Sequence, residues 1–297
     1  MTPSPLLRRS SLAALAILSA LALGAVPGQA ANPFVAGGLS TRTIPVDRAA
    51  TESAEARGRA VGAALGLPGV RHAAQRMTDA FDHRIYDEVT AFDGGGREVA
   101  ITRFDVDGPV AMAAVLGWHQ QGGPAIDGPA AQNRAVAAIR AAGLGVTGRA
   151  VVQASAGAGG WSISWPRVAG GVAVRGDGLR VLLFADGTFH GLTRTERPLA
   201  AGPSRLIGAD AARTTATSVL TGVGGDPADL TVAGVERAWI APNDTFGGAR
   251  LDAPGEVLRL AWTVRFETRN GLADRLRAVE VWIDAGDGSL LGGDAVE

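Results

Sequence analysis

Two amino acids are missing from this sequence, and each absence excludes several kinds of chemistry. There is no cysteine, and all 28 basic residues are arginine, so there is no lysine either. Without cysteine the chain cannot form a disulfide, offer a thiol nucleophile or bind zinc or an iron–sulfur cluster through thiolates. Without lysine it cannot form a lysine Schiff base, use a phosphate-loop lysine or carry a Ser-x-x-Lys acyl-transfer site.

Charged and aromatic residues are also scarce, and together with the length they limit the class of protein. The 297 residues are 46% apolar, 19% charged and 5% aromatic, with 42 glycines. A chain of this length and apolar content can fold into one large domain or about two to three small ones. The net charge is only −1, so electrostatics give no reason to expect nucleic acid or an anionic membrane as a partner.

The N-terminal segment has the pattern of an export signal. Two arginines precede an apolar run from Leu12 to Val26, and a small residue follows at Ala30. This order is typical of a secretory signal peptide, and the run is shorter than the about 20 residues of a membrane-spanning helix. We therefore predict a signal peptide over 1–30, a flexible lead-in over 31–46, and a secreted or extracytoplasmic mature protein without a membrane span.

Three segments have the pattern of an alanine-rich helix closed by glycine. They are Asp47 to Leu65, Ala130 to Ala142 and Ala209 to Leu220. Glycine just after the periodic residues is the usual end signal of a helix. Gly66, Gly145 and Gly224 follow these segments at intervals of 79 residues. A constant interval indicates a repeated structural unit.

Each helical segment is followed by a strand-like run with one large ring and then by an Asp-Gly pair. The rings are Tyr86, Trp165 and Trp262, and the pairs begin at Asp107, Asp186 and Asp287. The first two copies agree in both spacings, and the third contains 18 and 4 additional residues. Asp-Gly is a strong turn signal between strands. We predict an α+β fold of three helix-plus-antiparallel-sheet units over 47–122, 123–200 and 201–297, each with its ring buried under its helix.

The third unit resembles a PepSY domain. Its helix is followed by Leu-Ala-Trp262-Thr-Val and by Val279-Glu-Val-Trp-Ile-Asp284-Ala-Gly-Asp-Gly288-Ser-Leu-Leu. These match that family's strand with a central aromatic residue and its last strand, Val-x-Val-Asp-Ala-x-x-Gly-x-x-Leu. The second unit, through Trp165-Pro-Arg167 and Gly171-Val-Ala-Val174, is similar to modules in the propeptides of thermolysin-type metallopeptidases. The resemblance covers about residues 129–297.

This resemblance implies a function without catalysis. PepSY-like modules are extracytoplasmic, and the family is proposed to inhibit, chaperone or regulate peptidases without catalytic residues or a cofactor of its own. No His-Glu-x-x-His sequence occurs in this chain, so we expect it to act on a separate peptidase molecule.

The densest polar cluster is a candidate metal site that we reject. Asp79, Asp82, His83 and Asp87 lie at the entry to a strand-like run. Residues of one parity share a strand face, so Asp79, His83 and Asp87 could converge on zinc or calcium. A solvated strand entry before a buried Tyr86 accounts for the same residues without a closed ligand geometry. We predict no metal, no cofactor and no catalytic residue.

Three other motif-like stretches are interpreted as structural. Asp105-Val-Asp107-Gly108 and Asp284-Ala-Gly-Asp287-Gly288 look like parts of calcium loops but lack the downstream bidentate glutamate, so hairpin turns are expected. Gly143-Leu-Gly145-Val-Thr-Gly148 leaves a helix rather than opening one, which predicts a helix end instead of a dinucleotide site. Ser155 has no nucleophile-elbow sequence around it and is expected in a flexible loop.

Four further tryptophans allow two interpretations. They are Trp118, Trp161, Trp239 and Trp282. Their rings either fill the core or mark an exposed face for peptide or glycan stacking, and core filling is favoured.

The leading functional prediction is a secreted, noncatalytic PepSY-like protein. It is expected to bind and modulate an extracytoplasmic peptidase or an extended peptide, which can add to an open sheet edge through main-chain hydrogen bonds. A metal-dependent enzyme using the Asp/His cluster and a cell-wall or glycan-binding module are the alternatives.

Overall fold

The computed structural model describes residues 41–79, 84–117, 122–155, 160–225, 227–247, 257–268 and 278–296. They form two units, each with its own core. The N-terminal unit contains the described residues of Ala30–Arg167 and Gly176–Glu196, and the C-terminal unit contains those of Val168–Arg175 and Arg197–Glu297. The predicted signal peptide lies outside the described residues.

The N-terminal unit combines two helices with an antiparallel sheet. The helices are α1 (Arg48–Leu65) and α2 (Gly128–Ala141). The strands are β1 (Thr41–Ile44), β2 (Arg71–Asp79), β3 (Ile85–Phe92), β4 (Glu98–Asp105), β5 (Val110–Val115), β6 (Val151–Ser155), β7 (Gly160–Ala169), β8 (Val172–Phe184) and β9 (Phe189–Thr195). Their order is β1-β2-β3-β4-β5-β9-β8, with β7 paired to β8 and β6 paired to β7. Strand β1 thus occupies the end of the segment predicted as a flexible lead-in.

Both helices of this unit begin and end where the sequence signals lie. The carboxylate of Asp47 accepts a hydrogen bond from the Ala50 amide at 2.7 Å and caps α1, which ends at Gly66 in the left-handed conformation with φ 67°. Asp127 caps α2 in the same way, and Gly143 follows that helix with φ 73°. Asp at the N-cap and Gly just after the last turn satisfy backbone groups that a helix leaves unpaired.

The helices lie close to the sheet because they present small side chains to it. Helix α2 buries Ala131, Ala135 and Ile139, which are spaced four residues apart on one face. In α1 the approach is closer, since a Cβ atom on Gly58 would lie 2.5 Å from Cγ1 of Val89 in β3. The contact between α1 and the sheet therefore depends on a residue without a side chain.

The C-terminal unit has one helix over one sheet. The helix is α3 (Ala209–Gly222), and the strands are β10 (Leu230–Ile240), β11 (Arg259–Thr268), β12 (Ala278–Asp284) and β13 (Leu290–Val296). The four strands pair antiparallel in chain order, and the first residues of β8 pair parallel with β10. Helix α3 buries Ala212, Ala216 and Leu220, the same spacing as in α2.

The three predicted ring positions do not share one environment. Trp165 belongs to the core of the N-terminal unit, and Trp262 packs against the core under α3, with its indole donating to the carbonyl of Ile207 at 3.1 Å. Tyr86 is buried. The residues of β3 that contact α1 are Asp87, which pairs with Arg57, and Val89, which lies against Gly58. Both have the opposite parity to Tyr86 along the strand. Tyr86 therefore lies on the face away from α1, and the prediction that its ring is under the helix is wrong.

The predicted α+β class is confirmed, with a large sheet and three helices in the described part of the chain. A helix followed by four strands occurs three times in the element order, while the repetition of one structural unit stays a prediction. Among the described residues no helix has the length and apolar character needed to cross a membrane.

Candidate functional site

Only one member of the rejected metal cluster can be placed with its contacts. Asp82 and His83 lie outside the described residues, as does the side chain of Asp79. Asp87 is buried, and its carboxylate accepts hydrogen bonds from Arg76 at 2.8 and 3.3 Å. The hydrogen bond to Asp87 raises the pKa of Arg76, so this aspartate is held in an ion pair. In the described ranges no group of three His, Cys, Asp or Glu side chains could hold a metal ion.

The two stretches that look like calcium loops are turns between strands, as predicted. Asp284 accepts hydrogen bonds from the amides of Gly286 and Asp287 at 2.8 and 3.1 Å, and its other oxygen pairs with Arg259 at 2.7 Å. Asp105 lies at the end of β4 and pairs with Arg84 and Arg194. Both carboxylates are occupied by groups of the protein itself.

Two of the four further tryptophans are half-buried and pack against cores. The Trp161 ring lies against the first residue of α2, 3.6 Å from the position of a Cβ on Gly128, and it packs on the N-terminal core. Trp282 packs against a small apolar cluster of the C-terminal unit that includes Ala238 and Leu291. Trp239 is half-buried in β10, and Trp118 lies outside the described residues.

Strand β6 forms an open edge of the N-terminal sheet. It pairs with β7 from Val151 opposite Ser164 to Ser155 opposite Gly160, and no strand of the described residues pairs with its other side. Val152 points towards α2, 3.6 Å from a Cβ position on Gly128, whereas Val151 is 43% exposed. Ser155, expected in a loop, is the last residue of this strand.

Two other sheet edges carry the protection that β6 lacks. At the edge of β13 the side-chain amide of Asn243 hydrogen-bonds the backbone as a neighbouring strand would. It accepts from the Gly293 N–H at 3.0 Å and donates to the Gly293 carbonyl at 2.8 Å. Strand β1 includes the charged residue Arg42. Charges and plugging groups prevent unwanted strand pairing. The sequence of β6, Val-Val-Gln-Ala-Ser, contains neither charge nor proline.

A groove of 760 Å³ lies between α1 and α2 on the same unit. Its lining includes the apolar residues Leu65 at the end of α1, Val115 of β5, Leu183 of β8 and Phe189 of β9, together with polar groups such as Thr188. One wall is the flank of α2 from Arg134 to Ala141. Sequence patterns did not indicate this groove, because its walls come from elements far apart in the chain.

The C-terminal unit carries a charged network on the sheet face away from α3. Arg175 pairs with Glu280 through both of its terminal nitrogens, and it also binds Glu236 at 3.0 Å and the Thr263 hydroxyl at 3.4 Å. Burial alone would lower the pKa of Arg175, but the hydrogen bonds and negative charge of Glu280 and Glu236 outweigh it and raise the pKa. The arginine is therefore fully committed to internal partners.

Comparison with known proteins finds matches among solved structures. No family profile and no curated protein matches the sequence. Among solved structures, the Bacillus megaterium YpeB C-terminal domain is similar with a TM-score of 0.46 and 14% sequence identity, over 86% of this chain and 99% of that one. What this chain binds therefore has to be inferred from its own surfaces.

Proposed function

We propose that this chain is a secreted, noncatalytic PepSY-like protein that binds an extended peptide segment and so modulates an extracytoplasmic peptidase. The open edge of β6 is the observation that supports the proposal. Backbone N–H and C=O groups along an unpaired edge strand hydrogen-bond an incoming strand without any catalytic side chain. An edge of five residues can pair with a peptide of about the same length.

The side chains of β6 are suited to a partner of variable sequence. Val151 and Gln153 are exposed, and neither carries a charge. Main-chain hydrogen bonds supply affinity in strand addition, and side-chain pockets supply specificity. Because Val151 and Gln153 carry no charge that would select a complementary side chain, we expect binding that depends weakly on the peptide sequence.

We also propose that the chain contains three copies of one helix-plus-sheet unit. The buried helix faces support this. Each has small residues at intervals of four: Ala54, Gly58 and Gly62 in α1, Ala131 and Ala135 in α2, and Ala212 and Ala216 in α3. In α2 and α3 a large apolar residue follows four positions later.

The test of strand addition starts from random peptides of about twelve residues, selected by phage display on residues 31–297. Each selected peptide is then synthesised with N-methyl groups on alternate residues, in two complementary series. A peptide paired with β6 donates N–H groups from one edge only, so one series is expected to lose affinity about tenfold or more while the other retains it.

A substitution in β6 provides the second arm of this test. Val151→Lys places a charge on the edge and is expected to weaken binding, because edge charges oppose strand addition. Val70→Lys is the matched control, since Val70 is a 77% exposed valine of the same unit outside β6. Equal loss in both N-methyl series, or equal affinity of the two variants, would rule out strand addition at β6.

A further inference from the structure

The groove between α1 and α2 is lined by no described residue of β6. We propose that it binds a short apolar segment of a partner polypeptide that carries one aspartate or glutamate against Arg134. This inference goes beyond the proposed strand addition and does not depend on β6.

The lining of the groove is partly apolar and partly polar. It includes the buried residues Leu65, Val115 and Leu183 and the half-buried Phe189, beside the polar groups of Arg134 and Thr188. Ala137 and Ala141 line the wall of α2 with methyl groups. Small wall residues leave room for a partner's side chains, and a volume of 760 Å³ lies within the range of sites that hold a compact ligand.

The length of the groove fixes the size of its occupant. The wall runs from Arg134 to Ala141, two turns of helix or about 10 Å. An extended chain advances about 3.3 Å for each residue. The groove therefore holds about three residues of an extended segment.

Arg134 is the only charged residue among the described residues that line the groove. It is exposed, and none of the ion pairs of the described part of the chain includes it. Of the five N–H groups of a guanidinium, one donates to the Gly187 carbonyl at 3.4 Å. The remaining donors suit a carboxylate, which a guanidinium binds at two points. The complementary charge of the occupant is therefore negative.

The turn between β8 and β9 holds the arginine in place. A Cβ atom on Gly187 would lie 2.7 Å from Cδ of Arg134, so the side chain packs directly on this glycine. The turn is itself fixed, because the carboxylate of Asp186 accepts from the Thr188 amide at 2.9 Å and Gly187 donates to the Phe184 carbonyl at 2.9 Å. A positioned arginine loses less side-chain freedom when it binds a carboxylate than a freely moving one.

Fluorescent peptides provide the direct test. The probe is acetyl-Ser-Gly-Ala-Leu-Glu-Leu-Ala-Gly-Ser-amide, compared with the same peptide containing Gln or Lys in place of Glu; the blocked ends remove a terminal carboxylate as the source of charge. Fluorescence anisotropy on residues 31–297 is expected to show the Glu peptide binding about tenfold more tightly than the Gln peptide. Arg134→Gln should abolish this preference, and Arg140→Gln, which removes an exposed arginine of the same helix outside the groove, should keep it.

The lack of cysteine in the chain makes the location testable as well. Ala137→Cys introduces a unique thiol in the groove wall, and Gln132→Cys places one on the other flank of α2. A Glu peptide with a maleimide at its end should label the first variant in preference to the second. Equal labelling, no preference for Glu over Gln, or a preference that survives Arg134→Gln would overturn the proposal. Such a result leaves strand addition at β6 standing if the N-methyl series still differ.

Discussion

Arg175 and Glu280 are 105 residues apart in sequence and form a two-point ion pair on the C-terminal sheet. The glutamate is only 8% exposed. The same guanidinium binds Thr263 of β11 and Glu236 of β10, so one side chain of β8 reaches three further strands. The pair joins the start of β8 to the middle of this sheet. Val279 and Val281, the neighbours of Glu280 in β12, face the core under α3, so the ion pair lies on the opposite face of the sheet.

Removing the buried member of this pair should destabilise the protein. Glu280→Ala leaves the half-buried guanidinium of Arg175 without its main partner, and the free energy of unfolding is expected to fall by about 2 kcal/mol. Urea unfolding followed by tryptophan fluorescence measures the loss. Glu236→Ala is the control, because the Glu236 side chain is 71% exposed and exposed ion pairs contribute about 1 kcal/mol or less. If Glu280→Ala and Glu236→Ala lowered the free energy of unfolding equally, the buried glutamate would not be the main partner of Arg175.

Adding a methyl group at Gly58 should be unfavourable although alanine is the better helix former. The new Cβ would lie 2.5 Å from Val89 Cγ1, so α1 must shift or the valine must take a strained rotamer. Overpacking of this kind costs about 1–3 kcal/mol, which exceeds the about 1 kcal/mol that alanine gains over glycine in a helix. Thermal and urea unfolding of Gly58→Ala should both show a less stable protein.

Two further variants isolate the cause. At Gly62, one turn further along α1, the nearest atoms to an added Cβ are 3.9 Å away, so Gly62→Ala should stabilise the helix by up to about 1 kcal/mol. The double variant Gly58→Ala/Val89→Ala removes the two γ-methyl groups of Val89 that would lie 2.5 and 2.9 Å from the new Cβ, although the Val89 Cβ at 2.7 Å remains. It should therefore lose less stability than the sum of the two single changes. Simple additivity would show that Gly58 does not contact Val89 closely.

Local signals were enough to locate the helices and the turns. Asp47 and Gly66 bound α1 as expected, and the turn that Asp287-Gly288 indicates is present, with Asp284 accepting from the Gly286 amide. Caps and tight turns involve residues a few positions apart, so local patterns suffice to predict them. The sequence also predicts that Tyr86 is buried, but it does not show on which face of β3 the ring lies. Gly58 decides which face of β3 packs against α1. Because it has no side chain, Val89 can pack against the helix, and Tyr86, which has the opposite parity, then lies on the other face of the sheet.

The two binding surfaces could not be derived from local patterns. That β6 is an edge strand follows from the strand order, since among the described strands Val151–Ser155 pairs with β7 alone. The sequence shows that β6 is uncharged, but only the topology shows that this uncharged strand lies at an edge. The groove depends on α1, α2 and β9 meeting at one place. The Asp186-Gly187 turn was predicted, whereas its contact with Arg134, 53 residues earlier, was not.

Acidification should weaken the fold through His190. This histidine is half-buried in β9, with its ring stacked on Phe184 at a centroid distance of 4.6 Å. Burial lowers the pKa of His190 below its ordinary value of 6.5, so the folded state holds the ring neutral at a pH where the unfolded chain already binds a proton. Its contribution is complete above about pH 6.5 and is lost as the pH falls towards the folded-state pKa.

The measurement is the free energy of unfolding in urea at about pH 7.5 and about pH 5.5, a window in which most carboxylates stay ionised. The wild-type protein should be less stable at the lower pH, and His190→Gln should show a smaller difference between the two values. His72→Gln should also reduce the difference, since burial and the nearby charge of Arg59 lower the pKa of His72. If His190→Gln leaves the pH dependence unchanged while His72→Gln reduces it, the stacked histidine is not the group whose protonation opposes folding.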